Sequence, residues 1–200
     1  MNAQDTSDFS SNVLRCFTDG AAKANSKNAS AGWAFYIPKL NIRKSGHMIG
    51  TNNQAELTAV KELLTYIISS LDTSQFKESP HSELMIFSDS QYTIHILTGG
   101  KATANKDLIN SIFELGRVLL QKFSILKFKY VEAHTNGTDW VSKCNAVVDR
   151  LASDAAKNIE HNSDRTSERP KYPENKSPFT ASVKKTPAKK SSRPKKKPVK

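Results

Sequence analysis

Three apolar runs of strand character come first in this chain, before any stretch with helical period, and that order restricts the fold more than any other feature. Val13 to Thr18 reads as a buried strand that Asp19-Gly20 stops. Ala31 to Ile37 is a second strand, with Pro38 ending it or marking an edge. A third runs from about Asn41 to Ile49. The period then changes. Leu57, Val60, Leu63, Leu64, Ile67, Ile68 and Leu71 recur at helical spacing, with Asn52 or Asn53 available as the cap. Leu84 to Phe87 is a short strand, and a short helix begins near Ser90 and continues through Ile94 to Leu97. Asn105 caps a further helix whose apolar side carries Leu108, Ile109, Ile112, Phe113, Leu119 and Leu120. Ile125 to Val131 alternates as a strand does, and Val141, Cys144, Val148, Leu151, Ala152 and Ala155 stripe a final helix. This succession predicts a mixed α/β layout. The early strands can form an antiparallel meander, whereas the two later ones follow crossover helices and should lie parallel.

The charge is divided unevenly along the chain. From Glu160 onward there are thirteen Lys/Arg against four Asp/Glu, a net of +9; before Glu160, seventeen basic residues face fifteen acidic ones, a net of +2. A domain at 12–159 is therefore nearly neutral. The Lys/Pro/Ser-rich segment 160–200 holds the excess, and it is too poor in apolar residues to offset its ordering entropy. It is expected to be disordered, as are the polar residues 1–11. Such a polycation suits a polyanionic partner, nucleic acid first. Pro-Lys-Lys-Lys-Pro at 194–198 also reads as a nuclear import signal. The two cysteines, Cys16 and Cys144, make no disulfide framework and are expected as buried thiols in a reducing compartment. No apolar run approaches the length of a membrane span, and the N-terminus has no signal-peptide core. The expectation is an intracellular protein, cytoplasmic or nuclear, with no membrane partner.

Four carboxylates stand at the boundaries of these elements. They are Asp19 in Phe17-Thr18-Asp19-Gly20, Glu56 in Thr51-Asn52-Asn53-Gln54-Ala55-Glu56-Leu57, Asp89 in Ser88-Asp89-Ser90-Gln91-Tyr92, and Asp149, four residues after Asn145 on one face of the last helix. A single Asp at a strand end is usually a turn or cap residue. Four in separate motifs, each at an element boundary, are hard to explain as four unrelated caps. Acids gathered from distant points of a chain repel one another unless something positive holds them. Hard divalent cations with oxygen ligands are the usual reason for such a cluster, and paired metals are a standard means of cutting phosphodiesters.

Together with Ala133-His134-Thr135 and Asn145-x-x-x-Asp149-Arg150-Leu151-Ala152, these motifs make the chain resemble a type 1 ribonuclease H over roughly residues 13 to 157. The resemblance implies a five-stranded mixed sheet of order 3-2-1-4-5 flanked by helices, and cleavage of the RNA strand of an RNA–DNA hybrid. It implies two Mg²⁺ ions, with Mn²⁺ able to substitute. By the same resemblance Asp19 bridges both ions, Glu56 and Asp89 hold the ion on the leaving-group side, and Asp149 holds the ion on the nucleophile side. His134 then assists proton movement or product release.

For substrate contacts the resemblance extends to Gly20, to Asn25, Asn52, Asn53 and Gln91 at the hybrid's minor groove, and to Thr51 and Asn105 at a DNA-strand phosphate. Two departures from the family stand out. Thr98 to Ala104 is too short to hold the basic protrusion of many members, and the stretch from Thr135 to Cys144 is longer than the usual loop after the histidine. The basic tail could replace that protrusion by binding phosphate without sequence preference. The resemblance favours a monomeric enzyme. The alternatives are the ribonuclease H module of a reverse transcriptase and a hybrid-binding protein that does not cut.

Overall fold

The computed structural model describes residues 12–24, 26–77, 81–133 and 138–158. The segments 1–11 and 160–200, expected from sequence to be disordered, lie outside the described residues. Among the described residues, five strands and five α-helices follow one another as β1 (Val13–Ala22), β2 (Ser30–Ile37), β3 (Ile42–Ile49), α1 (Asn52–Ser70), α2 (Ser74–Lys77), β4 (Glu83–Ser88), α3 (Gln91–Leu97), α4 (Lys106–Leu119), β5 (Ile125–Tyr130) and α5 (Trp140–Ala156), with a 3-10 turn at Pro38–Leu40 between β2 and β3. The sheet order is β3-β2-β1-β4-β5. β1, β2 and β3 form the antiparallel meander, while β4 joins β1, and β5 joins β4, in parallel. This is the order and the mixture of directions expected from the sequence.

The sheet buries both faces. Leu14 and Cys16 of β1 pack with Phe35, Leu84 and Ile86 beneath α1, which contributes Leu57, Val60, Leu64 and Ile67; Ile109 and Ile112 of α4 complete this layer. Val13 and Phe17 point the other way, into a second core with Tyr36, Met85, Phe87 and the Trp140, Cys144, Val148 and Leu151 side of α5. β1 is thus buried on both faces, as a central strand between two helical layers requires, with Arg15 the one charged side chain buried between Val13 and Phe17. Both cysteines are buried and unbridged, and burial pushes the Cys16 thiol far above its ordinary value.

Three local expectations need correction, and one element was not expected at all. β1 does not stop at Asp19-Gly20 but runs through them to Ala22, still paired with β2 by Asp19 opposite Ala34 and Ala22 opposite Ala31. The sheet edge at Asp19 is made by β4, whose pairing to β1 ends at Phe17 opposite Phe87. The cap of α1 is Thr51 rather than Asn52 or Asn53: its hydroxyl accepts from the Gln54 N–H, and the Gln54 side chain accepts from the Thr51 N–H at 2.9 Å. This reciprocal pair is a capping box, which satisfies two otherwise orphaned N–H groups. Asn105 occupies the cap position of α4 in a left-handed conformation (φ 59°), but its side chain makes no cap bond. Finally, the single turn α2 had no readable signal in the sequence.

Candidate active site

Register places the first two acids. Phe17 and Phe87, the last residues paired between β1 and β4, stack with ring centroids 4.8 Å apart. Each stands two residues before an aspartate, so Phe17 and Asp19 share one face of the sheet. With β1 and β4 parallel and in register, Asp19 and Asp89 come level where β4 ends. Thr18 Oγ1 donates to the Phe87 carbonyl at 3.3 Å, holding the strands together at the point where the ladder stops.

Glu56 arrives from above this edge. With Thr51 as the cap, it is the fifth residue of α1, one or two residues further in than a cap at Asn52 or Asn53 suggests. What brings it down onto β1 is Gly20. A Cβ at that position would lie 2.1 Å from the Glu56 backbone nitrogen and 2.4 Å from the Ala55 carbonyl carbon. Only a residue without a side chain lets the helix backbone seat this closely on the strand.

The carboxylates of Asp19, Glu56 and Asp89 then each offer an oxygen, all within 4.8 Å of one another. Asp19 and Glu56 are 5% and 4% exposed, so little water reaches them. Burial raises the Asp19 carboxyl well above the ordinary range, and the charges of Asp89 and then Asp149 raise it further; the Gly20 N–H, donating to Oδ1 at 2.8 Å, opposes this. Glu56 is raised by burial first, then by Asp19 and Asp89. Its Oε2 is buried without a hydrogen-bond partner.

Asp149 is not one of the three converging acids, though its charge reaches Asp19. It comes from α5, on the opposite side of the sheet from α1. Gly32 sets the height of that helix, because a Cβ there would lie 2.3 Å from the Ala152 carbonyl oxygen. Ser30 Oγ ties the helix end by donating to the Ala156 carbonyl. Asn145, one turn before Asp149, reaches back to the cluster: its Nδ2 donates to Asp89 Oδ2 at 2.9 Å. The sequence motif contains Asn145 but by itself assigns it no role. Its spacing of four from Asp149, on one helix face, was the signal.

The remaining candidates are placed unevenly. Asn52 Oδ1 accepts from the Ala22 N–H at 3.1 Å, which joins the start of α1 to the end of β1. Asn53 and Gln91 are exposed first-turn residues of α1 and α3. Asn105 sits with Nδ2 3.5 Å from the Tyr92 hydroxyl. Asn25 and His134 lie outside the described residues. Of the stretch after His134, residues 135–137 also lie outside the described residues, and the rest leads directly into a helix. α5 already begins at Trp140, capped by Asp139, which accepts from the Ser142 N–H, and Trp140 packs edge-on against Phe17.

A family profile described as RNase H matches residues 11–157. The ribonuclease H of Tropheryma whipplei (strain Twist) is 31% identical over 165 residues, covering 76% of this chain and 89% of that protein. This chain belongs to the ribonuclease H family. A probable ribonuclease H of Acanthamoeba polyphaga mimivirus is 34% identical over 121 residues, spanning 54% of this chain and 48% of that protein. Among solved structures, LC11-RNase H1, isolated from compost, aligns with a TM-score of 0.53 at 20% identity, over 74% of this chain and 97% of that one. RNase H1 of Halobacterium salinarum NRC-1 aligns at 0.51 and 23%, over 74% and 99%. The two structures show the shared fold. The chain is a ribonuclease H, a nuclease and hydrolase.

Members of this family generally use a divalent metal, and the residues here fit one. Three carboxylates converge with no lysine or arginine paired to them among the described residues. Two of them are buried where their ionised forms are costly, and Glu56 keeps an oxygen without a partner. Oxygen-only donors of this charge suit a hard cation such as Mg²⁺ or Mn²⁺.

Proposed function

We propose that this protein hydrolyses the RNA strand of RNA–DNA hybrids, with two divalent cations, Mg²⁺ in the first instance, held by Asp19, Glu56, Asp89 and Asp149. The observation that carries the reading is the convergence of Asp19, Glu56 and Asp89 within 4.8 Å, with Asp149 close enough to be felt at Asp19. Bound in pairs, such cations supply an activated water and neutralise charge at the scissile phosphate and the leaving oxygen. The chain supplies the rest. Asp19, at the centre of the cluster, is the acid whose removal disturbs every other member. The α1 backbone seated on Gly20 keeps Glu56 fixed relative to Asp19, so the donor oxygens do not have to reorganise when phosphate arrives.

Selection of RNA is assigned to the amides around this edge. Asn53 and Gln91, exposed at the starts of α1 and α3, have the donors and acceptors to meet base edges and a 2′-hydroxyl, the group that separates RNA from DNA. The segment from Glu160 onward, with thirteen Lys/Arg against four Asp/Glu, is proposed to add affinity for phosphates irrespective of sequence. The test is a substrate panel: end-labelled RNA–DNA hybrid, duplex RNA, duplex DNA and single-stranded RNA, each incubated with the protein and Mg²⁺. Cleavage confined to the RNA of the hybrid supports the reading. Equal cleavage of duplex RNA and hybrid refutes it.

A further inference from the structure

We propose that Asn145 is a positioning residue for Asp89, setting the direction in which that carboxylate offers its oxygens to a cation. The inference rests on the metal reading given under Proposed function. Asn145 is 4% exposed on a helix face otherwise lined by Cys144, Val148 and Leu151. Its Nδ2 donates to Asp89 Oδ2 at 2.9 Å, and its Oδ1 is buried without a hydrogen-bond partner among the described residues. As a packing element this is a poor choice, because a buried polar atom left unpaired is destabilising. An apolar side chain of similar size would fill the same space without that penalty. The residue makes sense as part of the site.

The geometry says what it does there. A carboxylate at a strand end can turn about its last bond. A donor fixed on a packed helix, holding one of its oxygens, fixes the plane of the group and hence the direction of its lone pairs. The orientation of the Asn145 amide follows from the chemistry, since an ionised carboxylate only accepts and must therefore face the NH₂ end. Asn145 also joins two elements that contribute acids: β4, which Asp89 directly follows, and α5, which carries Asp149 one turn further on. Outer partners that orient a ligand typically change metal affinity by about 10–100-fold when removed.

The experiment uses the full chain without nucleic acid. Mn²⁺ binding is measured by calorimetry and by the electron paramagnetic resonance signal of free Mn²⁺, for the wild-type protein, Asn145→Ala and the volume-preserving Asn145→Leu. Thermal melts of all three are taken in EDTA. Mn²⁺ affinity should fall by about 10–100-fold in both variants, with Asn145→Leu melting within a few degrees of wild type. The Mn²⁺ concentration for half-maximal cleavage should rise in parallel while KM for hybrid stays near its original value. Unchanged affinity in a folded variant overturns the proposal, whatever happens to the melting temperature, because a merely structural asparagine would affect only the melt. A wild-type protein that binds no Mn²⁺ overturns the metal reading instead, and this proposal with it. Should neither variant fold, the side-chain amide resonances of Asn145 in the ¹⁵N-labelled wild-type protein decide. They should shift on adding Mg²⁺, and resonances that stay in place up to saturation overturn the proposal.

Discussion

Replacing Asp19 by asparagine should make the protein more stable in metal-free solution, while removing the group on which its chemistry depends. In the folded state Asp19 is buried beside Glu56 and Asp89, with oxygens within 4.8 Å of one another. Two unit charges at that separation repel by roughly 3–4 kcal/mol at an effective dielectric of about 20. Part of this repulsion is already relieved by proton uptake, as the raised carboxyls of Asp19 and Glu56 indicate. A net gain of about 1–3 kcal/mol is therefore expected, or roughly 3–10 °C in Tm for a chain of this size. The pH dependence is the sharper part. Because the folded-state pKa is raised, the stability associated with Asp19 is fully present below the ordinary carboxylate value of about 3.9 and is lost as pH rises through the folded value. The advantage of Asp19→Asn should be near zero at about pH 4 and grow as pH rises in EDTA. Saturating Mg²⁺ should stabilise the wild type more than the variant and close the gap. Thermal unfolding followed by circular dichroism from about pH 4 to about pH 8 is the assay. A variant no more stable than wild type near pH 8, or a gain of equal size at both ends, would refute the electrostatic reasoning.

Gly20→Ala should cost several kcal/mol, within the range for strained core changes, because the new methyl group would lie 2.1 Å from a backbone nitrogen. Displacement of α1 should lower both Tm and activity; a variant with wild-type values in both would show that the close approach is dispensable. Thr51→Ala removes the cap of α1 and should cost about 1 kcal/mol, read as a Tm loss of about 2–4 °C at nearly unchanged pH dependence. Asn52→Ala leaves the capping box intact and should cost less than Thr51→Ala, so a reversed order would restore asparagine as the cap. Deleting residues 161–200 removes thirteen Lys/Arg and three Asp/Glu, a net of +10. Every phosphate that the shortened chain leaves unneutralised lowers the slope of log affinity against log salt by roughly 0.9 on duplex DNA. KM should rise at moderate salt and its salt dependence flatten, with single-turnover rates at saturation unchanged; an unaltered salt slope would mean that the tail does not touch the substrate.

The sheet was readable because its signals are local. The period changes after Ile49, and each later strand follows a helix, which fixes both the strand directions and the mixed layout. Where the sequence misled, the missing information was an alignment between strands. Asp19 looks like a strand end because an acid and a glycine follow an apolar run. It is instead mid-strand, paired to Ala34, and what ends beside it is β4. No pattern within β1 reports where its neighbour stops. The cap of α1 was a different kind of miss. Thr51, Asn52 and Asn53 all suit a cap, and only Gln54, three residues after Thr51, distinguishes them through the capping box. Glu56 and Asp89 were legible as candidates from their motifs, but the role of Gly20 depends on a helix backbone that approaches it from another part of the chain. Asn145 likewise acts on a residue 56 positions away, and spacing alone cannot reveal such a partner.

The most direct test of the account follows the RNA strand itself. End-labelled RNA annealed to DNA is incubated with wild-type protein and with Asp19→Asn over a titration of Mg²⁺, with EDTA as the zero point. Wild type should cut the RNA strand in a Mg²⁺-dependent manner and leave the DNA strand whole. Asp19→Asn, folded and at least as stable in EDTA, should lose several kcal/mol of transition-state stabilisation, about 10²–10³-fold or more in rate. Cleavage by wild type that persists in EDTA, or near-normal cleavage by Asp19→Asn in Mg²⁺, would contradict the assignment of the acidic cluster as the catalytic metal site.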